Sequence, residues 1–290
     1  MGDLLKPPAA EGDESPLPAV VIMGPVAFVR QQSPQQYATR LARGGVAALI
    51  FDPRHHGESA GEPRRLESGQ AKMADVQAAL DYLATRPEID THRLYGLGIC
   101  QGINWMVGAA NRDQRLRAIA LVAGHYLTQT VHESYAGGAE PLAARLERAE
   151  AARQRYEETG EVEYIPVTSP DDPNALLTPL PIHQWYQRWD NDHPIWDFQG
   201  RWENRLARMS ELDIWGHRID GDLANLKRPT LVIHADRAAS GPEAPRRLFE
   251  TIPAEKSLVW LGDRVQFQFY EETYTIDLAA AHVADWFRRH

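Results

Sequence analysis

One short segment of the sequence pairs a nucleophilic side chain with the spacing that nucleophilic catalysis requires. Residues 98–102 read Gly-Ile-Cys-Gln-Gly, after the predicted strand 94–97 and before an apolar helix that runs through Ala110. A sharp strand-to-helix turn exposes its middle residue and needs very small neighbours two positions away. We therefore expect Cys100 to be a nucleophile whose thiolate is favoured by the helix dipole. The N–H of Gln101 is expected to stabilise an oxyanion.

The elements that must position this cysteine alternate between buried strands and helices. The predicted strands cover residues 19–23, 46–51, 94–97, 116–123, 230–234 and 257–261. Helix-spaced apolar residues follow most of them, and the last predicted helix covers about 276–289. This alternation predicts an α/β fold with a doubly wound, mostly parallel sheet. Functional groups should then collect at the carboxyl ends of the strands.

Two segments fall outside that alternation. Residues 1–17 carry prolines and acids without periodicity and are predicted to form a mobile N-terminal arm, before a core of residues 18–126 and 223–290. Residues 127–222 are predicted to be a helical, aromatic-rich lid insertion. Its aromatic side chains form either the lid's own core or the wall of a substrate pocket. The predicted substrate-binding residues are Trp185, Tyr186, Trp189 and Trp215, and Trp196 and Phe198 belong to the same aromatic segment.

Composition excludes several classes of protein. The 290 residues include 31 Lys and Arg against 40 Asp and Glu, which gives a net charge of −9 and argues against nucleic-acid binding. No apolar run approaches the ~18 residues of a membrane span. With one cysteine there is no internal disulfide and no thiolate metal cage, so a reducing cytoplasm is expected. No metal and no cofactor is predicted.

Several motifs resemble the α/β-hydrolase superfamily, in particular its dienelactone hydrolase and X-Pro dipeptidyl peptidase-like branch. The resemblance rests on the elbow at residues 98–102, on residues 51–61 (FDPRHHGESAG, similar to FDxRxxGxSxG), on Tyr37-Ala38 and on Phe269-Tyr270. In that branch the elbow nucleophile is Cys or Ser. The resemblance implies the fold, a nucleophile at Cys100 and a lid insertion, and it covers residues 18–126 and 223–290.

The same resemblance predicts a degenerate catalytic triad. The position of the usual acid holds Ala238, with Asp236 nearby, and the position of the usual histidine holds Gln266. Glutamine cannot accept and return a proton near pH 7. Gln266 is therefore predicted at the old base position as a neutral donor and acceptor. Among the eleven histidines, His125 is the best substitute base, because it follows the strand next to the elbow.

The loop after the first matched strand also departs from the family pattern. Where the family has His-Gly, this chain reads Gly24-Pro25-Val26-Ala27. Proline has no N–H, so Val26 or Ala27 must supply the second oxyanion donor, and Val26 is our candidate.

Three functions remain open at this stage. The first is a hydrolase or acyl transferase acting through Cys100 on an ester, lactone or thioester of a small, partly apolar molecule. The second is a non-hydrolytic cyclase, isomerase or ligand-binding pseudo-hydrolase acting on a hydrophobic carbonyl compound. The third is a non-catalytic partner or sensor protein. A small-molecule substrate is the expected partner, and a homodimer is a possible assembly by analogy with the fold.

Overall fold

A computed structural model describes residues 1–8, 15–190 and 202–290, so Trp196 and Phe198 lie outside the described residues. The main sheet has seven strands in the order β1-β3-β2-β4-β5-β8-β9. These strands are β1 (Gly2–Leu5), β2 (Leu17–Met23), β3 (Ala47–Phe51), β4 (Ile89–Ile99), β5 (Leu116–Val122), β8 (Thr230–His234) and β9 (Lys256–Trp260). A separate two-stranded sheet pairs β6 (Tyr164–Ile165) with β7 (Leu206–Ala207).

Six of the seven strands run parallel, which confirms the predicted sheet. Central register pairs are Val21 with Leu49 and with Gly96, and Leu97 with Ala120. Parallel strands place their carboxyl ends at one edge of the sheet. The ends of β2, β4, β5 and β8 therefore meet at the edge where the sequence predicts the site.

The first strand corrects the prediction of a mobile arm over residues 1–17. Gly2–Leu5 forms the edge strand β1, antiparallel to β3, with Asp3 opposite Ile50. Its apolar Leu4 and Leu5 pack against the main core. A four-residue strand is too short to show periodicity, and the prolines and acids that follow hid it.

Helices flank the sheet, and two pairs of them also pack on each other. The helices of the described residues are α1 (Ser33–Arg43), α2 (Gly69–Ala84), α3 (Gly102–Arg112), α4 (Gln129–Ala136), α5 (Ala139–Thr159), α6 (Leu180–Tyr186), α7 (Ser210–Gly216), α8 (Ile219–Ala224), α9 (Glu243–Thr251), α10 (Gln268–Glu271) and α11 (Thr273–Arg289). Helix α2 packs on α3, where Gly108 lies directly against Met73, and α1 packs on α11. The ring of Tyr95 in β4 stacks on Phe287 of α11 at 4.5 Å between centroids.

The segment predicted as an insertion lies between β5 and β8. It contains α4 to α8 and the small sheet. Its buried Trp185, Tyr186 and Trp202 pack against the main core. Among the described residues, no helix combines the length and apolar character that crossing a membrane requires.

Candidate active site

Cys100 occupies a strained turn between β4 and α3. Its φ is +55°, a left-handed conformation that residues other than glycine seldom adopt. The two flanking glycines are needed sterically. A Cβ on Gly98 would lie 2.6 Å from Ile103 Cα, and one on Gly102 would collide with the carbonyl oxygen of Gly24. The predicted elbow geometry is therefore present.

The thiol of Cys100 is buried but lines the floor of a cavity of about 830 Å³. Burial raises the pKa of Cys100 to about 11, although the nearby Tyr270 hydroxyl, Gln101 N–H and Gln266 side chain oppose that rise. Burial therefore favours the protonated thiol, against the sequence-based expectation of a favoured thiolate.

Gln266 lies beside Cys100, at the place where the sequence register puts the usual histidine. Its Oε1 accepts the N–H of Ala239 at 2.7 Å. Its Nε2 donates to the carbonyl of Ala123 at 2.9 Å and to the hydroxyl of Tyr270 at 2.7 Å. Both amide hydrogens and one amide oxygen lone pair are engaged, so this side chain is fixed in one orientation.

Tyr270 is the residue that the sequence analysis missed as a site candidate. It is buried in α10, four residues after Gln266, and its hydroxyl lies close enough to the Cys100 thiol to lower that thiol's pKa. Because the Gln266 amide donates to this oxygen, the phenol proton is free to point at the sulfur. Burial raises the pKa of Tyr270 well above its usual value, so it is a neutral donor at pH 7. The i, i+4 spacing from Gln266 was the available signal.

His125 lines the same cavity but is not paired with the nucleophile. Its backbone N–H donates to the Cys100 carbonyl at 3.0 Å, and Asn104 Nδ2 binds the carbonyl of His125 at 2.9 Å. Its ring stacks on Tyr135 at 4.8 Å between centroids. Within the described structure no hydrogen bond joins the His125 ring to the thiol, and its buried Nε2 has no partner. Burial lowers the pKa of His125 to about 4, so the ring is neutral at pH 7.

Both predicted oxyanion donors lie near the nucleophile. The Gln101 N–H contacts the Cys100 sulfur. Val26 lines the cavity, and no acceptor within residues 1–8, 15–190 and 202–290 takes its N–H. The neighbouring Ala27 N–H is already bound to Glu67 Oε2 at 3.0 Å. Of the two alternatives that the sequence left open in this loop, Val26 is therefore the one with an available donor.

Two late acidic residues, Asp236 and Asp263, are held by other partners. Asp236 accepts the Trp260 indole N–H at 2.8 Å, and the exposed Asp263 pairs with Arg237 at 2.5 Å. Ala238, at the usual acid position, lines the cavity beside Gln266. The positions that the resemblance assigns to the acid and the base of a triad therefore hold an alanine and a neutral amide.

Of the four aromatic residues predicted to bind substrate, Tyr186 lines the cavity and the other three are placed differently. Trp185 packs behind it, stacks on Phe267 at 5.5 Å and donates to Glu271. Trp189 packs on Trp185. Trp215 is buried and donates its indole N–H to Glu211, so it belongs to the core and not to the cavity wall. The apolar wall is formed instead by Val131, Leu177, Ile182 and Phe267.

The fold has counterparts among known proteins. The crystal structure of hypothetical protein PA2218 from Pseudomonas aeruginosa superposes with a TM-score of 0.82 at 25% identity, covering 100% of this chain and 88% of that chain. The α/β hydrolase GrgF from Penicillium superposes with a TM-score of 0.81 at 20% identity, covering 100% and 93%. The chain has the α/β-hydrolase fold. The more specific dienelactone hydrolase-like branch stays a prediction, and no family model matches the chain.

Sequence comparison gives relatives that overlap only in part. PA2218 is 29% identical over 241 residues, which cover 82% of this chain and 64% of that uncharacterized protein. A thiohydrolase of Aspergillus aculeatus, aneE, is 34% identical over 80 residues, 28% of this chain and 25% of that enzyme. The chain thus spans less than two thirds of the length of these curated relatives.

Proposed function

We propose that this protein forms an acyl-enzyme on Cys100 from an ester, lactone or thioester of a small, partly apolar acyl group, and then passes the acyl group to water or another acceptor. The observation that carries the proposal is the Cys100 thiol, held on a strained elbow at the floor of the cavity under the Tyr270 hydroxyl. Backbone strain of this kind is found most often at active sites and ligand-binding sites.

Acylation follows from these contacts. The Cys100 sulfur attacks the carbonyl carbon, the S–C bond forms, and the carbonyl oxygen takes negative charge next to the N–H groups of Gln101 and Val26. The thiol proton passes to Tyr270 as the phenol gives its own proton to the departing heteroatom. The leaving group departs protonated, the bond between it and the acyl carbon breaks, and Tyr270 ends as it began.

Thioesters fit a protonated nucleophile best. The resting pKa of Cys100, about 11, leaves little thiolate at pH 7, so the leaving group must depart without a strong base. A thiol with a pKa of about 8.5 leaves far more readily than an alkyl alcohol. The similarity to the thiohydrolase of Aspergillus aculeatus supports the same substrate class.

A second candidate function follows from Gln266. All its contacts are neutral hydrogen bonds, and neither Gln266 nor Tyr270 can remove a proton from water at pH 7. His125, neutral in the same cavity, is the remaining candidate base, and it lacks the orienting acid of a triad. A slowly hydrolysed acyl-enzyme favours an acceptor other than water, or a non-hydrolytic cyclisation of the acyl group itself.

The test is intact-mass spectrometry of the protein after mixing with octanoyl-N-acetylcysteamine and, separately, with p-nitrophenyl octanoate. We expect a mass gain of one octanoyl group, formed faster with the thioester and absent in Cys100→Ala. The lifetime of the adduct then separates hydrolase from transferase. A folded wild-type protein that gains no mass with either probe but binds octanoate saturably would support the non-hydrolytic alternative and overturn covalent catalysis.

A further inference from the structure

The loop between β2 and α1 carries the Val26 N–H, and it is held in a conformation that its sequence does not favour. Ala27 has a φ of +49°, in the left-handed region that is unfavourable for a residue other than glycine. Such a conformation persists only when surrounding contacts fix it. The contacts on the peptide groups of this loop therefore show what sets the position of the Val26 N–H.

One contact comes from the core. Glu67 is fully buried, and its Oε2 accepts the Ala27 N–H at 3.0 Å. Its Oε1 is paired with the buried ammonium of Lys72, and its Oε2 lies 3.4 Å from His56 Nε2. A buried carboxylate is tolerable only with such partners, so Glu67 is itself fixed in place. Glu67 therefore holds the N–H of the peptide group between Val26 and Ala27.

Two further contacts come from the segment between β5 and β8. The Tyr186 hydroxyl donates to the Val26 carbonyl at 3.2 Å. The Trp202 indole N–H donates to the Ala27 carbonyl at 2.8 Å. The two rings stack on each other at 5.3 Å between centroids, and both side chains are buried. Each aromatic residue thus holds one carbonyl of the loop, and the stack holds the two together.

From this arrangement we infer that Tyr186 and Trp202 are positioning residues for the oxyanion site. The Val26–Ala27 peptide is bound at both its carbonyl and its N–H, and the next carbonyl is bound as well. These contacts fix the orientation of the loop and leave the Val26 N–H as its unbound donor at the cavity. The insertion therefore completes the oxyanion site, and Tyr186 acts through Val26 rather than through the acyl group.

This inference rests on the proposed function, because an oxyanion forms only if Cys100 attacks a carbonyl. It predicts a selective effect. Attack of Cys100 on a thioester places charge on a carbonyl oxygen and needs the Val26 N–H. Attack on methyl methanethiosulfonate forms a mixed disulfide, releases methanesulfinate and places no charge on a carbonyl oxygen. A defect in the oxyanion site slows the first reaction and spares the second.

The experiment compares Tyr186→Phe with Tyr164→Phe. The Tyr164 hydroxyl also lies in the insertion and donates to a backbone carbonyl of the core, that of Arg64, at 3.3 Å, so it is a matched control away from Val26. Loss of a whole oxyanion donor lowers the rate by about 10²–10³. A Val26 N–H that is less firmly oriented should therefore lower the acylation rate about tenfold. We expect octanoyl transfer to Cys100 to slow about tenfold in Tyr186→Phe, with methylthiolation changed less than twofold. Trp202→Phe should behave likewise.

Each other result has a definite meaning. Equal slowing of both reactions indicates a general disturbance of Cys100 and overturns the inference, as does an acylation rate that matches Tyr164→Phe. Absence of acylation in the wild-type protein overturns the proposed function instead, so the two failures are distinguishable.

Discussion

The two halves of the site differ in how closely they follow the expected pattern. The nucleophile half, from β4 through Cys100 to α3, keeps the strained φ and both small neighbours. The proton-transfer half, at the ends of β8 and β9, has Ala238 and Gln266 where an acid and a histidine are usual, with Tyr270 reaching the thiol. Backbone packing constrains the first half, whereas the second is set by side chains that can change singly. The fold thus keeps the elbow geometry around Cys100, whereas neutral side chains occupy the second half.

The largest effect is expected in the nucleophile half. Gly102→Ala places a methyl group against the Gly24 carbonyl, which is backbone and cannot rotate away. Overpacking of this kind costs about 1–3 kcal/mol of stability or more, and it should abolish acylation as well. Gly216→Ala, in a helix with open space around it, is the control and should be neutral or slightly stabilising. Urea denaturation measures the free energy of unfolding of both variants. Equal stability of the two variants would contradict the steric argument.

The next effect concerns the group that replaces the histidine. Tyr270→Phe removes the hydroxyl that contacts the sulfur, and loss of a proton-transfer group slows catalysis by about a hundredfold or more. We expect the octanoylation rate of Cys100 to fall accordingly. Tyr274→Phe, an exposed position in α11, is the control and should leave the rate unchanged. Acylation by Tyr270→Phe at the wild-type rate would remove the phenol from the mechanism.

A third prediction concerns the protonation state of the nucleophile. Burial raises the pKa of Cys100 to about 11, so the thiolate fraction is small at neutral pH and rises tenfold with each pH unit below that value. Alkylation by iodoacetamide should therefore accelerate about thirtyfold between pH 7 and pH 8.5 and continue to rise above pH 9. The rate would be followed by mass spectrometry. A plateau below pH 9 would show an ordinary or activated thiol instead.

The smallest effect is expected when an acid and a histidine are placed at the positions where the family pattern has them. Ala239 N–H binds Gln266 Oε1, so the two loops are adjacent and an acid at residue 238 would face a histidine at residue 266. The double variant Gln266→His with Ala238→Asp should hydrolyse the acyl-enzyme about tenfold faster than wild type, because a base activates water. Gln268→His is the matched control, because the Gln268 side chain lies two residues away and accepts the Val265 N–H. An unchanged adduct lifetime would mean that water does not reach the acyl group.

The sequence predicted the features that depend on a periodic apolar pattern or on the steric limits of the backbone. Strand β8 was predicted at its observed bounds. The turn at Cys100 was predicted from its two flanking glycines, which no larger residue can replace without a steric clash. Tyr270 was not predicted, because its contact with the sulfur depends on how α10 packs after a loop of irregular structure. Trp215 was placed in a substrate pocket because buried core aromatics and cavity aromatics look alike in sequence.

The neutral state of Cys100 has a consequence for how the protein withstands oxidants. Hydrogen peroxide attacks thiolates, so a thiol that stays protonated is oxidised slowly. Cys100 is the single cysteine of the chain, and a sulfenic acid formed on it would find no second thiol in the same molecule to resolve it. A low thiolate content is therefore expected to protect Cys100 from irreversible oxidation.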